Sequence, residues 1–364
     1  MSAHKRVSSP LVSIIVPARN EEASLGACLE SLVAQTGVDF EIIVVNDHST
    51  DRTAEIGRSF SSVRLIGAPD LPASWTGKNN AVTAGAKEAR GSWFLFTDAD
   101  TVHLPGSLRK ALAEAEEHGA ALLSYSPEQE VHSFGEKALM PVIFAELAAN
   151  FRPQDVSNPA LPAAAANGQY LLISRQAYEA VGGHAAIAGN ILEDVALARA
   201  VKASGFKIFF RYGADAVRTR MYRNFPQMRE GWTKNLALLF PSAKRLATIR
   251  LAEFVLIAGG VLGAILFAVK GFMPLAVLSF ILAVILYGMF LHRIRKAHFS
   301  RSASLCAFAG LPLFAYLLLR SSLLHRRGTV EWKGRAYASK PTDARPEVRE
   351  ALLASPLAKR KSNI

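Results

Sequence analysis

The chain has 364 residues, which is long enough for one large domain or two. Half of these residues are hydrophobic and the mean hydropathy is +0.18, which is high for a purely soluble protein and predicts contact with lipid. The net charge of +12 suits an anionic membrane surface, whereas the sequence lacks the interleaved basic and aromatic residues that stack on nucleic acid bases, so no nucleic acid partner is predicted.

The chain begins with a basic segment that passes directly into a short strand pattern. Because no small-residue cleavage site follows this segment, no signal peptide is predicted. The two cysteines, Cys28 and Cys306, are too few for a disulfide framework. This cysteine usage fits a reducing, cytosolic environment.

From residue 11 to about residue 167, short apolar runs alternate with helical patterns. Four runs predict strands, namely LVSIIVPA, EIIVVND, VRLIGAP and SWFLFTDAD. The runs are apolar on both faces and are separated by helices, a pattern typical of a parallel sheet that is covered on both sides. The sequence therefore predicts an α/β fold with a mostly parallel sheet.

Two helix starts are predicted from polar residues that can cap them. Ser49 or Thr50 is expected to cap the helix that follows the second strand. Asn20 is expected to cap the first helix, whose apolar positions at helical spacing are Leu25, Cys28, Leu29, Leu32 and Val33.

Polar residues follow three of the predicted strands at their carboxyl ends. They are the segment from Pro17 to Glu22, Asp47, and the pair Asp98 and Asp100. In open α/β sheets ligands bind at this edge, near the point where the strand order reverses. Two carboxylates one residue apart repel each other unless a cation or hydrogen-bond donors lie between them, so the pair predicts a ligand site. A loop that simply needs turn-forming aspartates is the alternative for this pair.

The pattern is less regular after Asn150. ANGQYLLISR predicts a loop leading into a strand, and KIFFRYGADAVRTR predicts a strand or a hairpin. NILEDVALARAVKASG predicts a helix with Glu193 and Asp194 in its first turn. Acidic residues in a first turn are favoured by the helix macrodipole, so an ordinary structural role stays open for them beside a chemical one.

Two later segments are apolar enough to enter a membrane. Residues 251–269 and 272–291 are each close to the roughly 20 apolar residues that span the hydrocarbon core. Lys270 and Gly271 alone separate them, which predicts a helical hairpin. The flanking segments KRLATIR and HRIRKAHFSR are strongly basic, so both flanks are expected on the cytoplasmic side of the inner membrane.

A third apolar run, residues 303–319, is shorter and has basic residues on both sides. Gly310 and Pro312 lie within it and are expected to break it. Within residues 303–324, the sequence therefore favours a re-entrant or interfacial segment over a third membrane span.

Five motifs occur in order along the chain: VPARNEE, VVNDHSTDRT, WTGKNNA, FTDADT and LED. Together they resemble the ordered motifs of family 2 inverting glycosyltransferases of GT-A fold, over about residues 11 to 240. WTGK followed by TDADT, the apolar hairpin and VEWKGRAY are similar to membrane glycosyltransferases associated with hopanoid and carotenoid biosynthesis. The resemblance implies a Rossmann-like GT-A domain over residues 1–245, a membrane region over 246–325 and a basic tail over 326–364.

The resemblance also implies a nucleotide-diphosphate sugar as donor, with a UDP-sugar favoured. Asp100, together with Asp98, would hold Mg²⁺ or Mn²⁺, which neutralises the charge that grows on the leaving diphosphate. Asp47 is expected at the nucleotide base, and its alternative role is that of a turn residue. Lys78 is expected near the phosphates, and its alternative is an ordinary solvated lysine. The residues expected at the donor are Pro17, Ala18, Arg19, Glu21, Asp47, Lys78 and Asp98.

Inversion at the anomeric carbon needs a general base opposite the leaving group, and the resemblance assigns this role to Asp194, with Glu193 alongside. Processive members carry a Q-x-x-R-W motif, whereas the corresponding residues in QMREGWTKN are out of that register. The expected reaction is therefore a single transfer to a lipid acceptor such as a hopanoid or a carotenoid. Possible contacts with acceptor or donor are Trp232, Trp332, Lys333 and Arg335, although a membrane-interface anchor is an alternative role for Trp232.

Two other functions stay open at this point. FTDADTV also resembles the nucleophile loop of haloacid-dehalogenase phosphatases, but that loop usually lies on the first strand, whereas two or three βα units precede it here. The other alternative is a membrane-tethered scaffold that binds a nucleotide sugar without transferring it. Binding of a nucleotide sugar with manganese, without transfer, would support the scaffold.

Overall fold

The computed structural model of the chain describes residues 11–337. Its strands are β1 (Val12–Ala18), β2 (Phe40–Asn46), β3 (Val63–Gly67), β4 (Trp93–Phe96), β5 (Thr101–His103), β6 (Leu122–Ser126), β7 (Glu128–Gln129), β8 (Leu171–Ser174), β9 (Ile208–Tyr212), β10 (Val217–Thr219), β11 (Val330–Trp332) and β12 (Arg335–Tyr337). Its α-helices are α1 (Leu25–Val33), α2 (Thr53–Ser59), α3 (Gly77–Glu88), α4 (Ser107–Glu117), α5 (Phe134–Asn150), α6 (Pro153–Ser157), α7 (Arg175–Ala180), α8 (Gly183–Ala186), α9 (Glu193–Ala203), α10 (Phe225–Leu239), α11 (Ala243–Val269), α12 (Met273–Ile294) and α13 (Arg301–Arg327).

The described chain divides into two compact units. The first comprises residues 11–130 and 151–221, and the second comprises residues 131–150 and 222–337. The second unit thus takes in α5 and α10 together with the three long helices. The domain limits expected from the sequence, at residues 245 and 325, stay predictions, and residues 338–364 of the expected basic tail lie outside the described residues.

The first unit is built on a seven-stranded sheet in the order β3-β2-β1-β4-β8-β6-β9. Neighbouring strands are parallel except for β8, which is antiparallel to both β4 and β6. Alternate residues of β1 enter different cores, since Ile15 packs in one buried cluster and Ile14 in another. Both faces of the sheet are therefore covered, and the predicted α/β fold with a mostly parallel sheet is confirmed.

The strand order reverses between β1 and β4. The chain passes from β1 outward to β2 and β3, and then returns to place β4 on the opposite side of β1. Strand β1 carries Pro17 at its carboxyl end, and β4 leads into the acidic loop of Asp98 and Asp100. The topology thus puts those two segments at the crevice where open α/β sheets bind ligands.

A second, three-stranded sheet follows the acidic loop. Its order is β5-β10-β7, with β5 antiparallel to β10 and β7 parallel to it. The segment KIFFRYGADAVRTR contributes β9 to the large sheet and β10 to the small one. The hairpin alternative for that segment is therefore wrong, because its two strands belong to different sheets.

Two predicted helix caps are wrong for a shared reason. Helix α1 begins at Leu25 after Ser24, and α2 begins at Thr53 after Arg52. The expected caps instead join the two loops, because Ser49 Oγ accepts from the Asn20 backbone N–H at 3.0 Å and Asn20 Oδ1 accepts from the Thr50 N–H at 2.9 Å. Asn20 itself has a positive φ of 52°. Among the expected apolar positions of α1, Val33 is exposed and the other four are buried.

The second unit contains three helices that are long and apolar enough to cross a membrane, α11, α12 and α13. Helices α11 and α12 form the predicted hairpin, with Gly260 of α11 against Ala283 and Ser279 of α12. In their most apolar stretches only 6% and 17% of the residues are buried, against 44% in α13. The hairpin therefore presents apolar side chains outward along most of its length.

Helix α13 is continuous from Arg301 to Arg327, so the predicted break at Gly310 and Pro312 is wrong. Gly310 serves close packing instead, because an added Cβ would overlap the carbonyl oxygen of Ala138 in α5. The helix accommodates Pro312 within its length, and Ser300 caps its start by accepting from the backbone N–H of Ala303.

The position of α13 along the hairpin follows from its aromatic contacts. The ring centroid of its Phe308 lies 5.0 Å from that of Phe254, in the first half of α11, and 6.0 Å from that of Phe290, near the end of α12. One turn and a half further on, Phe314 packs against Phe240, which precedes α11. Ser321 then donates to the Thr233 carbonyl in α10 at 2.6 Å. Helix α13 thus runs antiparallel to α11 and continues past the base of the hairpin onto α10.

Candidate active site

A lysine and three carboxylates meet at the β1–β4 crevice of the first unit. Lys78 Nζ lies 2.6 Å from Asp98 Oδ1 and 2.7 Å from Glu193 Oε1. Asp194 lies beside Glu193 and accepts from the backbone N–H of Gly168 at 2.9 Å. These residues line one cleft with Pro17. Four expected site residues from three separate stretches of the sequence are therefore neighbours in the fold, together with Pro17.

Lys78 reaches the carboxylates because of the way α3 begins. Thr76 caps this helix by accepting from the backbone N–H of Asn79 at 3.2 Å. The Asn79 amide donates to the carbonyls of Ala188 and Asn190 at 2.8 and 3.0 Å, which ties the first turn of α3 to the segment before α9. Lys78 is in that turn, so the same contacts place its ammonium beside Glu193.

Buried polar side chains hold the acidic loop of Asp98 and Asp100 in place through hydrogen bonds. None of them was among the expected site residues. Thr97 Oγ1 donates to the Gln169 carbonyl at 2.8 Å and lies 3.0 Å from His103 Nε2. Gln169 Nε2 donates to Thr219 Oγ1, which donates to the Asp100 carbonyl at 3.2 Å. All four side chains are buried, and polar residues inside otherwise apolar strand ends are the signal that could have identified them.

Burial and neighbouring charges change the pKa values of Asp194 and Lys78 in the cleft. It raises the pKa of Asp194 to about 6, and the neighbouring Glu193 carboxylate adds to this effect, while Lys78 and the Gly168 and Val195 N–H groups oppose it. Burial disfavours the charged form of Lys78, but Asp98 and Glu193 outweigh it and hold the lysine pKa well above its ordinary value. At neutral pH the cleft thus contains a fixed cation and a carboxylate that is more basic than usual.

Gly168 leaves room for the charged side chains of this cluster. An added Cβ would lie 2.8 Å from Lys78 Nζ and 3.2 Å from Glu193 Oε1. The backbone of Gly168 therefore approaches the charged groups as closely as its N–H contact with Asp194 requires. Gly168 was not among the expected site residues, although it stands in the segment ANGQY that was predicted to be a loop.

The ends of β1 and β2 form a second group of expected donor residues. The Asp47 N–H donates to the Ala18 carbonyl at 2.8 Å, and Arg19 Nη1 donates to the Asp47 carbonyl at 2.8 Å. The side chain of Asp47 is buried, and its carboxylate lies 3.4 Å from His48 Nδ1. Glu21 accepts from Ser24 Oγ and its N–H donates to Thr53 Oγ1. Their assignment to nucleotide binding stays a prediction.

Comparison with known proteins shows the family of this chain. The model of glycosyl transferase family 2 matches residues 13–182. A 4,4'-diaponeurosporenoate glycosyltransferase of Staphylococcus aureus (strain MRSA252) is 31% identical over 90% of this chain and 88% of its own length. The chain belongs to glycosyl transferase family 2. The namesake from strain USA300 is 30% identical over the same shares, and the family resemblance read from the motifs is confirmed.

A solved structure supports the fold of this family 2 glycosyltransferase. The mannosyltransferase PcManGT from Pyrobaculum calidifontis, in complex with GDP-Man and Mn²⁺, superposes with a TM-score of 0.54 and covers 87% of both chains at 15% identity. The GT-A architecture expected from the motifs is thereby confirmed. The expectation that the chain is an enzyme, a glycosyltransferase, is confirmed by the family and by its relatives.

The acidic loop carries the two residues that are expected to hold a metal ion, Asp98 and Asp100. Within residues 11–337, no three His, Cys, Asp or Glu side chains are grouped as ligands of one ion. Mg²⁺ is often held by one or two carboxylates together with substrate phosphates, and Mn²⁺ also prefers oxygen ligands. Asp98 and Asp100 offer such a donor set at the end of β4. These residues thus fit a cation that is completed by a diphosphate.

The four expected acceptor or donor contacts of the glycosyltransferase lie in its second unit. Trp232 is buried, and its indole N–H donates to the Met140 sulfur at 3.4 Å. Trp332 lies under the ammonium of Lys234, 5.1 Å from ring centroid to Nζ. Lys333 is in the tight turn between β11 and β12, and Arg335 opens β12. Their roles stay predictions.

Proposed function

We propose that this glycosyltransferase transfers a single sugar from a nucleotide-diphosphate sugar to a lipid acceptor, with inversion and with the help of a divalent cation. The observation that carries the proposal is the meeting of Asp98, Glu193 and Asp194 around Lys78 at the crevice between β1 and β4. Ligands of open α/β sheets bind at this place. A second, independent support is the apolar hairpin of the other unit.

Asp194 has the properties of the general base. A base works best when its pKa lies near the operating pH, and burial raises the pKa of Asp194 to about 6. Its Oδ2 and Oδ1 accept from the N–H groups of Gly168 and Val195 at 2.9 and 2.7 Å, which fixes the orientation of the carboxylate. In an inverting transfer this group would take the proton of the acceptor hydroxyl as that oxygen attacks the anomeric carbon.

The donor would lie along the carboxyl ends of β1, β2 and β4. Asp98 and Asp100 are the residues that would hold Mg²⁺ or Mn²⁺, and the cation would stabilise the negative charge of the departing diphosphate. Lys78 supplies a fixed positive charge in the same cleft. PcManGT was solved with GDP-Man and Mn²⁺, which supports this class of donor and metal. For the present chain a UDP-sugar is the favoured donor.

A lipid acceptor is supported by the hairpin and by the relatives. Helices α11 and α12 are almost unburied over their apolar stretches, which fits insertion into hydrocarbon. The Staphylococcus aureus relatives are named for a carotenoid acid, diaponeurosporenoate. The acceptor class proposed for this chain is therefore a hopanoid, a carotenoid or a similar lipid, reached at the cytoplasmic face of the inner membrane.

The test is transfer itself. The full chain, purified in detergent, is incubated with UDP-glucose, UDP-N-acetylglucosamine or GDP-mannose, a lipid extract, and either Mn²⁺ or Mg²⁺. Mass spectrometry should detect a lipid that has gained one sugar, and Asp194→Asn should lower the rate of this gain by roughly 10²–10⁴-fold without abolishing donor binding. Donor binding by the wild-type chain without any transfer would support a nucleotide-sugar-binding scaffold instead and would overturn the proposal.

A further inference from the structure

His184 is a buried residue of the cleft that the proposed chemistry does not use. It lies in α8 between the helices that carry Tyr178 and Glu193, and only 2% of its surface is exposed. Its ring packs edge-on against Phe96 at the end of β4, with 4.7 Å between ring centroids. Together with Lys78 and Glu193, it lines the cleft.

Tyr178 determines which ring nitrogen of His184 carries the proton. The Tyr178 hydroxyl accepts from the His184 backbone N–H at 3.1 Å and lies 3.0 Å from His184 Nδ1. The hydroxyl has one proton to give, and Nδ1 is the acceptor within reach, so the proton of the neutral imidazole belongs on Nε2. Gly183 allows this close approach, because an added Cβ would overlap the Tyr178 ring.

The ring is neutral as well as fixed. Burial, with the nearby Lys78 ammonium as a smaller cause, lowers the pKa of His184 to about 3. The imidazole therefore offers the same Nε2–H donor at every pH at which the protein would work. Within residues 11–337 the hydrogen bond of the His184 ring is the one between Nδ1 and the Tyr178 hydroxyl. Because His184 lines the cleft, its Nε2–H is left for an acceptor that a ligand in the cleft supplies.

We infer that the Nε2–H of His184 donates a hydrogen bond to a hydroxyl of the transferred sugar and helps to determine which sugar is accepted. The inference rests on the proposed function. The carboxylates of Asp98 and Glu193 offer hydrogen-bond acceptors in the cleft, and the His184 imidazole offers a neutral donor. A sugar hydroxyl can donate to a carboxylate and accept from the imidazole at the same time. An anionic phosphate oxygen is better matched by the Lys78 ammonium than by a neutral imidazole.

The test separates the sugar from the nucleotide. Calorimetry in the presence of Mn²⁺ measures binding of UDP, UDP-glucose, UDP-N-acetylglucosamine, GDP and GDP-mannose to the wild-type chain, His184→Phe, His184→Gln and Tyr178→Phe. His184→Phe should weaken the wild type's preferred nucleotide sugar by roughly 5–30-fold and leave its parent diphosphate unchanged. His184→Gln retains an N–H donor and should recover part of this loss. Tyr178→Phe removes the hydroxyl that fixes the proton of His184 on Nε2. It should cause a smaller loss of nucleotide-sugar affinity than His184→Phe and leave the affinity for the diphosphate unchanged.

Tyr125→Phe is the matched control, because it removes another buried tyrosine hydroxyl, one that donates to Glu114 Oε2 at 2.9 Å and is not among the residues lining the cleft. It should change thermal stability without changing the ratio of nucleotide-sugar to nucleotide affinity. Equal loss of both ligands in the His184 variants, or no loss of either, would overturn the inference. Should His184→Phe not fold, His184→Gln and Tyr178→Phe decide the same question. A wild-type chain that binds no nucleotide sugar would instead contradict the proposed function.

Discussion

At the scale of single residues, the cleft combines charges that were expected with contacts that were not. Asp98, Glu193 and Asp194 stand out in the sequence because acidic residues follow a strand or open a helix at motif positions. The pairing of Lys78 with two of them, and the hydrogen bond from Gly168 to Asp194, join residues that are 20 to 115 positions apart along the chain. Local sequence patterns contain no information about such distances.

The first residue-scale prediction concerns activity against pH. If Asp194 is the base, kcat/KM should fall as the pH drops below about 6, because the carboxylate whose pKa is about 6 becomes protonated. Asp194→Asn should lower transfer by roughly 10²–10⁴-fold and abolish this acid limb. Initial rates measured across a pH series with saturating metal check both points. Near-normal turnover in Asp194→Asn would mean that another group accepts the proton.

The raised pKa of Asp194 also predicts how stability depends on pH. Stability should fall as the pH rises, whereas activity should increase. The folded-state pKa of about 6 lies above the ordinary 3.8, so the folded chain binds more protons than the unfolded chain between these values. Stability is therefore lost as the pH rises through this window, and the loss is complete above about pH 6. Asp194→Asn should raise the melting temperature at about pH 8 and have little effect at about pH 4. An equal effect at both pH values would contradict the raised pKa.

The cation is the subject of a third prediction at this scale. Asp100→Ala should abolish the dependence of UDP binding on divalent metal, because it removes the oxygen ligand assigned to the ion. Lys78→Ala should only weaken UDP binding, since it removes one positive charge and leaves the acidic loop in place. Calorimetry with and without Mn²⁺ measures both effects. Unchanged metal dependence in Asp100→Ala would refute the assignment of the metal to this residue.

At the scale of elements, packing overrode two local signals. Gly310 and Pro312 predict a helix break, yet α13 is continuous because it packs on α5 and α10, as the Gly310 and Ser321 contacts show. Asn20 and Ser49 predict helix caps, yet they bridge the loops after β1 and β2. In each case a long-range contact satisfies the groups that the local pattern assigned to something else.

Helix packing provides a prediction with a matched control. Gly310→Ala should destabilise the chain in detergent by roughly 1–3 kcal/mol, because its Cβ would meet the Ala138 carbonyl and push α13 away from α5. Gly259→Ala in α11 adds the same methyl group where no atom lies within 4 Å, and it should be neutral or slightly stabilising. Thermal unfolding of both variants makes the comparison. Equal melting temperatures would show that α13 and α5 are not in close contact.

At the scale of the whole molecule, the second unit ends its apolar hairpin on a group of four charges, of which Glu146 is buried and the other three are partly buried. Arg250 Nε lies 2.7 Å from Glu146 Oε1, and Arg293 Nη2 lies 2.8 Å from Glu253 Oε2. Cross-contacts of 3.1 and 3.6 Å close the group, which joins α5, α11 and α12. The four charges cancel, so they can be buried together at the base of the hairpin where each alone would be costly.

The group of four charges predicts a strong coupling between its members. Glu146→Gln alone should cost roughly 3–5 kcal/mol, because it leaves two arginines facing one carboxylate. The double variant Glu146→Gln with Arg250→Met leaves the Arg293–Glu253 pair intact and should be less destabilised than the sum of the single variants. Unfolding in a defined detergent measures the cycle. Additive losses would show that Glu146 and Arg250 are not coupled.

Membrane topology is also decided at this scale. Basic residues flank the hairpin and follow α13, and α13 passes the base of the hairpin onto α10, which together favour a C-terminus on the cytoplasmic side with α13 at the interface. A reporter active only outside the cytoplasm, fused after Ile364, should therefore be silent. A second reporter that is active only in the cytoplasm, fused at the same position, is the control for expression. Strong external activity would mean that α13 spans the membrane.

The sequence by itself determined the parallel sheet, the acidic strand ends, the apolar hairpin and the family. Each of these rests on a short-range regularity, such as two-sided apolar runs, carboxylates at strand ends, or about 20 apolar residues in succession. Tertiary structure alone decided that Lys78 pairs with Asp98 and Glu193, that Tyr178 contacts His184 beside the cleft, and that α5 packs with the long apolar helices. These contacts join residues from separate elements, and their geometry exists only once the sheet and helices have packed.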